Sequence, residues 1–496
     1  MNRQITKLAV ATLILISALI VATTYWQTWA SASLADKQDN AIQRVAQFRI
    51  KRGLIRAADG TVLAANVRRK AGGQTLYFRR YPTGKLFAHL VGYSTQVRAR
   101  AGLERSENGY LTASNANLGT ILDKTIDKLK GVTITGNDLI LSVRPRIQRL
   151  AMDELFGKCG AAVVLNPRTG KVYALASQPS YDPNLVEHHF NLIRAPGAPC
   201  RPAAPLLDRA TAGLFTPGSS FKVVTAAAAL DSNRFTPEST FEDPGYCTEY
   251  GKKVSNAGNP ETGPEAFGHV TLAQGLQHSI NSVFCNIGKR LGAGLILDYA
   301  KKFGFYKDPP LETPDDEKAP SGLYDHGKLF FPRHPETQVD PGRLAFGQER
   351  LSVTPLQMAM VAAAVANGGE LMRPQVLDRV VDSSGKTIVK VHPQKLDRVM
   401  TPRTASEITS MMVAAVNDGT GGAAAIPGIQ VAGKTGTAET GAVGVNTTFF
   451  ICFAPADAPQ VAVAVVLENQ HAFAGQVAAP IAKVLMQAVL EGGSKK

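Results

Sequence analysis

The sequence is poor in the residues that bind metals. Its 496 residues contain only 9 histidines and 5 cysteines. The cysteines are not arranged at metal-ligand spacing, so a metal site is not expected. Their odd number leaves at least one without an intramolecular partner, and the sequence leaves the disulfide state open. They are Cys159, Cys200, Cys247, Cys285 and Cys452.

Low-complexity tracts and internal repeats are also missing, which argues against a disordered chain or a solenoid. The net charge of +14 indicates an anionic neighbourhood, although a solvated basic face would give the same count. Zinc-ligand, helix-turn-helix and RNA-reading motifs are absent, so nucleic acid is not an expected partner. Membrane headgroups and anionic wall polymers are better candidates. The chain length predicts two domains.

One long uncharged run stands near the N-terminus. Residues 8–26 could form a helix of about 28 Å, close to the roughly 30 Å of a bilayer core. Arg3 and Lys7 precede the run, which favours a cytoplasmic N-terminus. Three aromatic residues stand at its far end, suited to the interface: Tyr25, Trp26 and Trp29. We expect a single-pass membrane anchor and an exported remainder, although residues 30–32 also fit a cleavage site.

The segment from residue 36 to about residue 135 mixes short strand-like pieces with glycine turns and arginine clusters. Strands are predicted at Ile55, at residues 62–63 and at residues 76–78. A further strand over 137–143 precedes a helix over 145–156, which has a proline at its first turn.

Strand patterns then recur at both ends of the remaining chain. A hairpin is predicted from residues 161–165 and 171–176, and three more strands are predicted over 428–432, 448–453 and 461–467. Between them lie helical patterns over 223–230, 272–291 and 354–367. This order predicts an α+β domain whose antiparallel sheet is built from both ends of the domain, with a helical subdomain against it.

A serine nucleophile is suggested by residues 217–222, which read Pro-Gly-Ser-Ser-Phe-Lys before an apolar helix. Ser219 and Lys222 are three residues apart and share a helical face. A serine hydroxyl needs a nearby base, and desolvation lets a lysine lose its proton more readily. An N-cap serine followed by a snorkelling lysine would look the same, so this pattern alone is weak.

Two further patterns follow in order. Ser279 and Asn281 stand in a predicted helical stretch, where a hydroxyl can relay a proton and an amide can hold a carbonyl or the lysine. Residues 434–437 read Lys-Thr-Gly-Thr after the predicted strand over 428–432. Lys434 and Thr435 can bind a carboxylate, and Gly436 allows a substrate backbone to approach closely.

Together these patterns resemble the three motifs of penicillin-binding proteins and serine β-lactamases. The similarity extends to residues 52–55, 102–104, 170–184 and 354–359, so nearly the whole chain resembles class B penicillin-binding proteins of the actinobacterial A type. The resemblance implies an anchor over 1–30, a non-catalytic pedestal or dimerisation-type domain over 31–155, and a transpeptidase domain over 156–492. Three residues depart from the family pattern: Ala57, Glu349 and Phe449.

The resemblance implies a peptidoglycan D,D-transpeptidase that is acylated and inhibited by β-lactams and that needs no metal or organic cofactor. Lys222 would deprotonate Ser219, Ser279 would relay a proton to the leaving D-Ala, and Asn281 would orient the donor amide. A set of neighbouring residues would bind the donor stem peptide and its carboxylate: Lys434, Thr435, Gly436 and Thr437. The backbone N–H groups of Ser219 and Thr437 would form the oxyanion hole.

Two alternatives remain at this level. The same site could belong to a hydrolase, either a D,D-carboxypeptidase or a β-lactamase, or to a catalytically silent penicillin-binding scaffold or sensor. Class B proteins are similar in working with a polytopic membrane glycan polymerase, which makes the anchor a candidate contact for such a partner.

Overall fold

The computed structural model describes residues 2–25, 47–114, 134–195, 197–259, 263–441 and 444–493. Its first element is the helix Asn2–Tyr25, whose residues 6–23 are apolar enough to cross a membrane and are not buried against the rest of the protein. A helix of 24 residues is about 36 Å long, which exceeds the bilayer core. Trp26, Trp29 and residues 30–32 lie outside the described residues.

A five-stranded antiparallel sheet forms the centre of the larger part of the protein, and its strands come from both ends of that part, as the sequence predicts. Their spatial order is Ala432–Glu439, Asn446–Ala454, Val461–Gln470, Gly160–Leu165 and Val172–Gln178. Alternate residues of Gly160–Leu165 enter two different hydrophobic clusters, one on each face. Because both faces are buried, the strands read as continuous apolar runs.

Helices cover both faces of this sheet. Pro145–Glu154 and Ala474–Gly493 pack on one face. The other face meets a larger helical layer, made of Lys222–Asp231, Leu272–Gln277, Asn281–Leu291, Ala293–Lys302, Pro355–Ala366 and Pro402–Asn417. The helices predicted over 145–156, 223–230 and 354–367 are confirmed. The C-terminal helix Ala474–Gly493 was not predicted.

Two sequence predictions were wrong in detail. The pattern over 272–291 is split into two helices, because residues 278–280 leave the helical conformation. The predicted strand over 428–432 begins only at Ala432 and continues to Glu439, so the Lys-Thr-Gly-Thr segment lies within the strand and not after it. Residues 426–429 form an isolated bridge around Gly428, whose positive φ of 76° suits a turn.

A second sheet of six strands lies mainly in the region between the N-terminal helix and the five-stranded sheet along the chain. Its spatial order is Thr387–Lys390, Leu377–Val381, Asp138–Leu141, Ile55–Arg56, Val62–Ala71 and Gln74–Arg80. The strands predicted near residues 55, 62, 76 and 137 are therefore confirmed. Two strands of this sheet come from residues 377–390, more than 200 residues after its other strands. They connect the six-stranded sheet to the part of the protein that contains the five-stranded sheet.

The remaining described elements are short. Strands are Thr240–Asp243, Tyr246–Glu249, Lys252–Ser255, Gly258–Asn259, Gly263–Pro264, Gly268–Thr271, Gly322–Asp325, Lys328–Leu329, Leu351–Ser352, Glu370–Met372 and Lys395–Arg398. Helical turns are Gly84–Phe87, Ala88–Val91, Leu103–Ser106, Asn108–Leu111, Pro183–Leu185, Phe190–Leu192, Gly218–Phe221, Asp315–Glu317, Pro335–Gln338, Pro341–Ala345 and Gly422–Ala424.

The structure also pairs four cysteines, a question that the sequence left open. Cys159 bonds to Cys200, and Cys247 bonds to Cys285, while Cys452 is free and buried. The second disulfide joins the strand Tyr246–Glu249 to the helix Asn281–Leu291.

A buried ion network holds the N-terminal region together. Both oxygens of the fully buried Glu104 are used, at 2.7 Å from Arg52 Nη2 and at 2.5 Å from Arg79 Nε. Arg52 also donates to Asn108 Oδ1 at 2.7 Å. Burial alone would raise the pKa of Glu104, but the charges of Arg79 and Arg52 outweigh it and lower that pKa.

We expect Glu104→Ala to destabilise the protein by about 3–5 kcal/mol, because it leaves two buried guanidinium groups without their carboxylate. Chemical denaturation of the purified protein measures this. Glu491→Ala is the matched control, since the Arg146–Glu491 pair is exposed at 3.4 Å and should contribute at most about 1 kcal/mol. Equal stability losses in the two variants would contradict the conclusion that the buried ion network around Glu104 stabilises the protein.

Candidate active site

The three sequence motifs meet at one cleft of about 900 Å³. We call the turn Gly218–Phe221 the nucleophile turn and the strand Ala432–Glu439 the motif strand. The cleft is lined by side chains from these two elements and from the break between the helices, among them Ser219, Ser279, Asn281, Thr435 and Thr437. Residues separated by more than 200 positions in the sequence thus face one space.

The nucleophile turn is held by close backbone packing. Gly218 has a φ of 52°, and its N–H donates to the carbonyl of Gly347 at 3.2 Å. A Cβ at Gly218 would lie 2.7 Å from the carbonyl oxygen of Thr437, so only glycine fits there. The turn leads directly into the buried helix Lys222–Asp231, and Ser219 stays half-buried at the edge of the cleft.

Lys222 is fully buried one helical turn after Ser219. Its Nζ donates to the carbonyl of Ser279 at 2.7 Å and to Asn281 Oδ1 at 2.8 Å, and it lies 3.5 Å from Ser279 Oγ. Burial lowers the pKa of Lys222 well below its ordinary value, and the nearby charge of Lys434 lowers it further. An amine in this setting can be neutral and act as a base near neutral pH.

Ser279 stands at the break between two helices, with a φ of 62°. This left-handed conformation is uncommon for a residue other than glycine and indicates that the surrounding structure enforces it. The break turns the Ser279 hydroxyl and carbonyl towards the two lysines, which a continuous helix would not do. Asn281 then begins the helix Asn281–Leu291, and its Nδ2 donates to the carbonyl of Ser255 at 3.0 Å.

Lys434 approaches Ser279 from the motif strand. Its Nζ donates to Ser279 Oγ at 2.8 Å and to its neighbour's carbonyl, that of Thr435, at 2.9 Å. Burial lowers the pKa of Lys434 to about 7. The Ser279 hydroxyl therefore lies between two buried amines, an arrangement that suits proton transfer.

The threonines of the motif strand form the cleft edge next to these lysines. Thr435 Oγ1 lies 2.6 Å from Thr420 Oγ1, and Thr437 Oγ1 accepts from the N–H of Ala474 at 3.3 Å. Gly436 lies against the nucleophile turn, where a Cβ would come within 2.3 Å of the carbonyl oxygen of Pro217. Gly436 thus permits close contact within the protein, whereas the sequence suggested a contact with substrate.

The cleft also contains residues that the sequence did not single out. Its lining includes Ser255 and Asn256, which form the part that we call the cleft wall, and also Arg343, Glu439 and Phe473. They come from separate elements, including the end of the motif strand and the helical turn Pro341–Ala345, so only the fold brings them together. Of the unusual positions noted in the sequence, Phe449 is buried and pairs with Gly436 across the strands.

Comparisons with known proteins match two family models and a full-length relative. Residues 160–487 match the penicillin binding protein transpeptidase domain, and residues 52–139 match the penicillin binding protein A dimerisation domain. The chain is 32% identical to the peptidoglycan D,D-transpeptidase PbpA of Mycobacterium tuberculosis over 517 aligned positions, covering 99% of this chain and 100% of the relative.

Solved structures give the same result. The D,D-transpeptidase domain of a peptidoglycan glycosyltransferase from Eggerthella lenta is 32% identical with a TM-score of 0.75, and the match covers 90% of this chain and 99% of that one. The penicillin G acyl-enzyme complex of penicillin-binding protein A from M. tuberculosis is 31% identical with a TM-score of 0.74. That match covers 89% of this chain and 100% of the other.

We expect Gly436→Ala to push the motif strand away from the nucleophile turn. The added methyl would meet backbone at 2.3 Å, so the free energy of unfolding should fall by on the order of 3 kcal/mol. Thermal and chemical denaturation measure this. Gly422→Ala is the control, because its nearest contact would be at 3.7 Å, and a similar loss there would contradict the packing argument.

Proposed function

The chain belongs to the penicillin-binding transpeptidase family, and we propose that it is a peptidoglycan D,D-transpeptidase that works through an acyl-enzyme on Ser219. The observation that carries this proposal is the fully buried Lys222, one turn after Ser219 and bonded to Ser279 and Asn281. Such a lysine can take the proton from a serine without being paired to a carboxylate.

In the acylation step, Lys222 accepts the proton of Ser219, and Ser219 Oγ attacks the penultimate D-Ala carbonyl of a donor stem peptide. The backbone N–H groups of Ser219 and Thr437 stabilise the oxyanion, an interaction worth about 3–4 kcal/mol per well-placed donor. The peptide C–N bond then breaks. The terminal D-Ala leaves with a proton that passes through the Ser279 hydroxyl.

Binding of the donor uses the motif strand. Lys434, Thr435 and Thr437 hold its terminal carboxylate, and Asn281 orients its amide. In the second step an amine of an acceptor stem peptide attacks the acyl carbon. A new C–N bond forms, the ester bond to Ser219 breaks, and the proton returns to Ser219 Oγ. β-Lactams mimic the donor and acylate the same oxygen.

The remaining parts of the chain position this site. We propose an anchor over residues 1–30, a pedestal over 31–155 and a transpeptidase domain over 156–492, with the strands of residues 377–390 completing the pedestal sheet. The helix Asn2–Tyr25 would cross the membrane once with its N-terminus in the cytoplasm, because Arg3 and Lys7 precede its apolar run. A polytopic membrane glycan polymerase would contact this helix.

The first test of the proposal is covalent labelling with a fluorescent penicillin. The wild-type protein should carry stable label on a denaturing gel, and Ser219→Ala should carry none, because the ester cannot form. Incubation with a donor pentapeptide and an acceptor amine should give a cross-linked product. Release of the tetrapeptide alone would indicate a carboxypeptidase, and absence of label from the wild type would overturn the proposed function.

The two lysines predict a bell-shaped pH dependence of acylation by penicillin. The rate should rise with pH as Lys222 loses its proton, at a pH well below that of an exposed lysine. It should fall above about pH 7, because Lys434 then becomes neutral and no longer attracts the penicillin carboxylate. The second-order rate constant for acylation is measured at each pH from a quenched time course of labelling with fluorescent penicillin.

A penicillin methyl ester is the control for that prediction. It lacks the carboxylate, so its slower acylation should rise with pH and show no fall near neutrality. A fall of the same size with the ester would mean that Lys434 acts on a different step.

A further inference from the structure

A buried carboxylate lies behind one wall of the cleft. Asp243, at the end of the strand Thr240–Asp243, is only 1% exposed. Neutral donors surround it: the N–H of Gly245 at 2.9 Å, the N–H of Phe267 at 3.0 Å, Asn256 Nδ2 at 2.8 Å and the Ser282 hydroxyl. A buried polar group is costly unless it is hydrogen-bonded, so burial of the Asp243 side chain requires these donors to keep their positions around it.

Two of these donors, Asn256 and Ser282, connect Asp243 to residues of the site. Asn256 Oδ1 accepts from the N–H of Ser282 at 2.9 Å, so the side chains of Asp243 and Asn256 both hold Ser282. The residues next to this pair are also bonded, because Asn281 Nδ2 donates to the Ser255 carbonyl at 3.0 Å. The cleft wall at residues 255–256 and the helix start at residues 281–282 are thereby joined by adjacent hydrogen bonds.

The other end of the Asn281 amide reaches the base. Asn281 Oδ1 accepts from Lys222 Nζ at 2.8 Å, while its Nδ2 is held by the cleft wall. Rotation or displacement of this amide would change the contact with Lys222 and the surface offered to the donor peptide. Anything that fixes residues 255–256 relative to residues 281–282 therefore fixes the Asn281 amide.

We propose that Asp243 is a positioning residue of the transpeptidase reaction, which holds the Asn281 amide against Lys222 through Asn256 and Ser282. This inference rests on the proposed function. Asp243 does not touch the cleft itself, since the cleft lining includes its partners Asn256 and Phe267 but not Asp243. It acts by providing the acceptor oxygens that keep the two cleft elements in register.

Asp243→Asn is the sharpest variant, because it keeps the size of the side chain and replaces one acceptor oxygen with an NH₂ donor. That group would face donors that now bond to the carboxylate, so at least one bond must break. The second-order rate constant for acylation by fluorescent penicillin should fall about tenfold to a hundredfold, as expected when catalytic groups shift by about 1 Å. Ser282→Ala removes one link only and should cause a smaller loss of several-fold.

A double-mutant cycle separates positioning from general destabilisation. In an Asn281→Ala background, Asp243→Asn should reduce acylation no further, because the amide that it positions is gone. Asp231→Asn is the matched control. Asp231 accepts from the N–H of Thr401 at 2.8 Å and from Tyr299 at 2.8 Å, at the far end of the helix Lys222–Asp231. The Asp231→Asn variant should have a lower melting temperature, and the rate of acylation of the folded protein should be unchanged.

The outcomes are distinguishable from those of the proposed function. If the wild type is labelled and Asp243→Asn is labelled at the wild-type rate, the positioning role is wrong. It is also wrong if the loss in the Asn281→Ala background equals the loss in the wild-type background. If Asp243→Asn does not fold, Ser282→Ala decides: a several-fold loss supports the role, and an unchanged rate overturns it. Failure of the wild type to be labelled instead overturns the function.

Discussion

Burial of two lysine amines around one serine hydroxyl is the constraint on which the site depends. Lys222 and Lys434 are both fully buried, and the hydroxyl of Ser279 lies 3.5 Å from the first amine and 2.8 Å from the second. Two like charges in a low-dielectric interior are unfavourable, so each amine lowers its free energy by losing its proton or by donating to fixed oxygens. The same arrangement that destabilises the ammonium form of Lys222 suits the role of base that we propose for this residue.

The surrounding architecture can be understood as the means of keeping these groups buried and aligned. The motif strand lies at the edge of the five-stranded sheet and packs on the nucleophile turn through Gly436, where no side chain would fit. The helix break at Ser279 supplies a carbonyl and a hydroxyl in a strained conformation. Behind the break, Asp243 adds a buried carboxylate that the reaction does not contact. The strained backbone and the buried polar groups at these positions are unfavourable by themselves. Packing in the two large hydrophobic clusters, one on each face of the sheet, offsets that cost.

Much of the fold could be predicted because its strands and helices carry strong local signals. Residues 161–165 and 461–467 are continuous apolar runs, because both faces of these strands are buried, and such runs are recognisable in the sequence. Thr354 marks the start of its helix in the same way, because its hydroxyl accepts from the N–H of Gln357 at 3.2 Å. The errors occurred where tertiary contacts override local preference. Residues 272–291 have a helical pattern throughout, yet the helix is interrupted at residues 278–280, next to the contacts of Ser279 and Asn281 with the two lysines. Residues 428–432 have strand-forming residues, but the pairing partner begins opposite Ala432.

The sequence by itself determined the chemistry available: a serine, two lysines, a second serine and an amide in an order typical of one enzyme family, behind an apolar N-terminal helix. Those signals are local, because a motif depends on spacing of a few residues. Only the tertiary structure decided the distances between Lys222, Ser279 and Lys434, the lowered pKa values and the part played by Asp243. These depend on desolvation and on contacts between segments more than 200 residues apart, which local sequence does not encode.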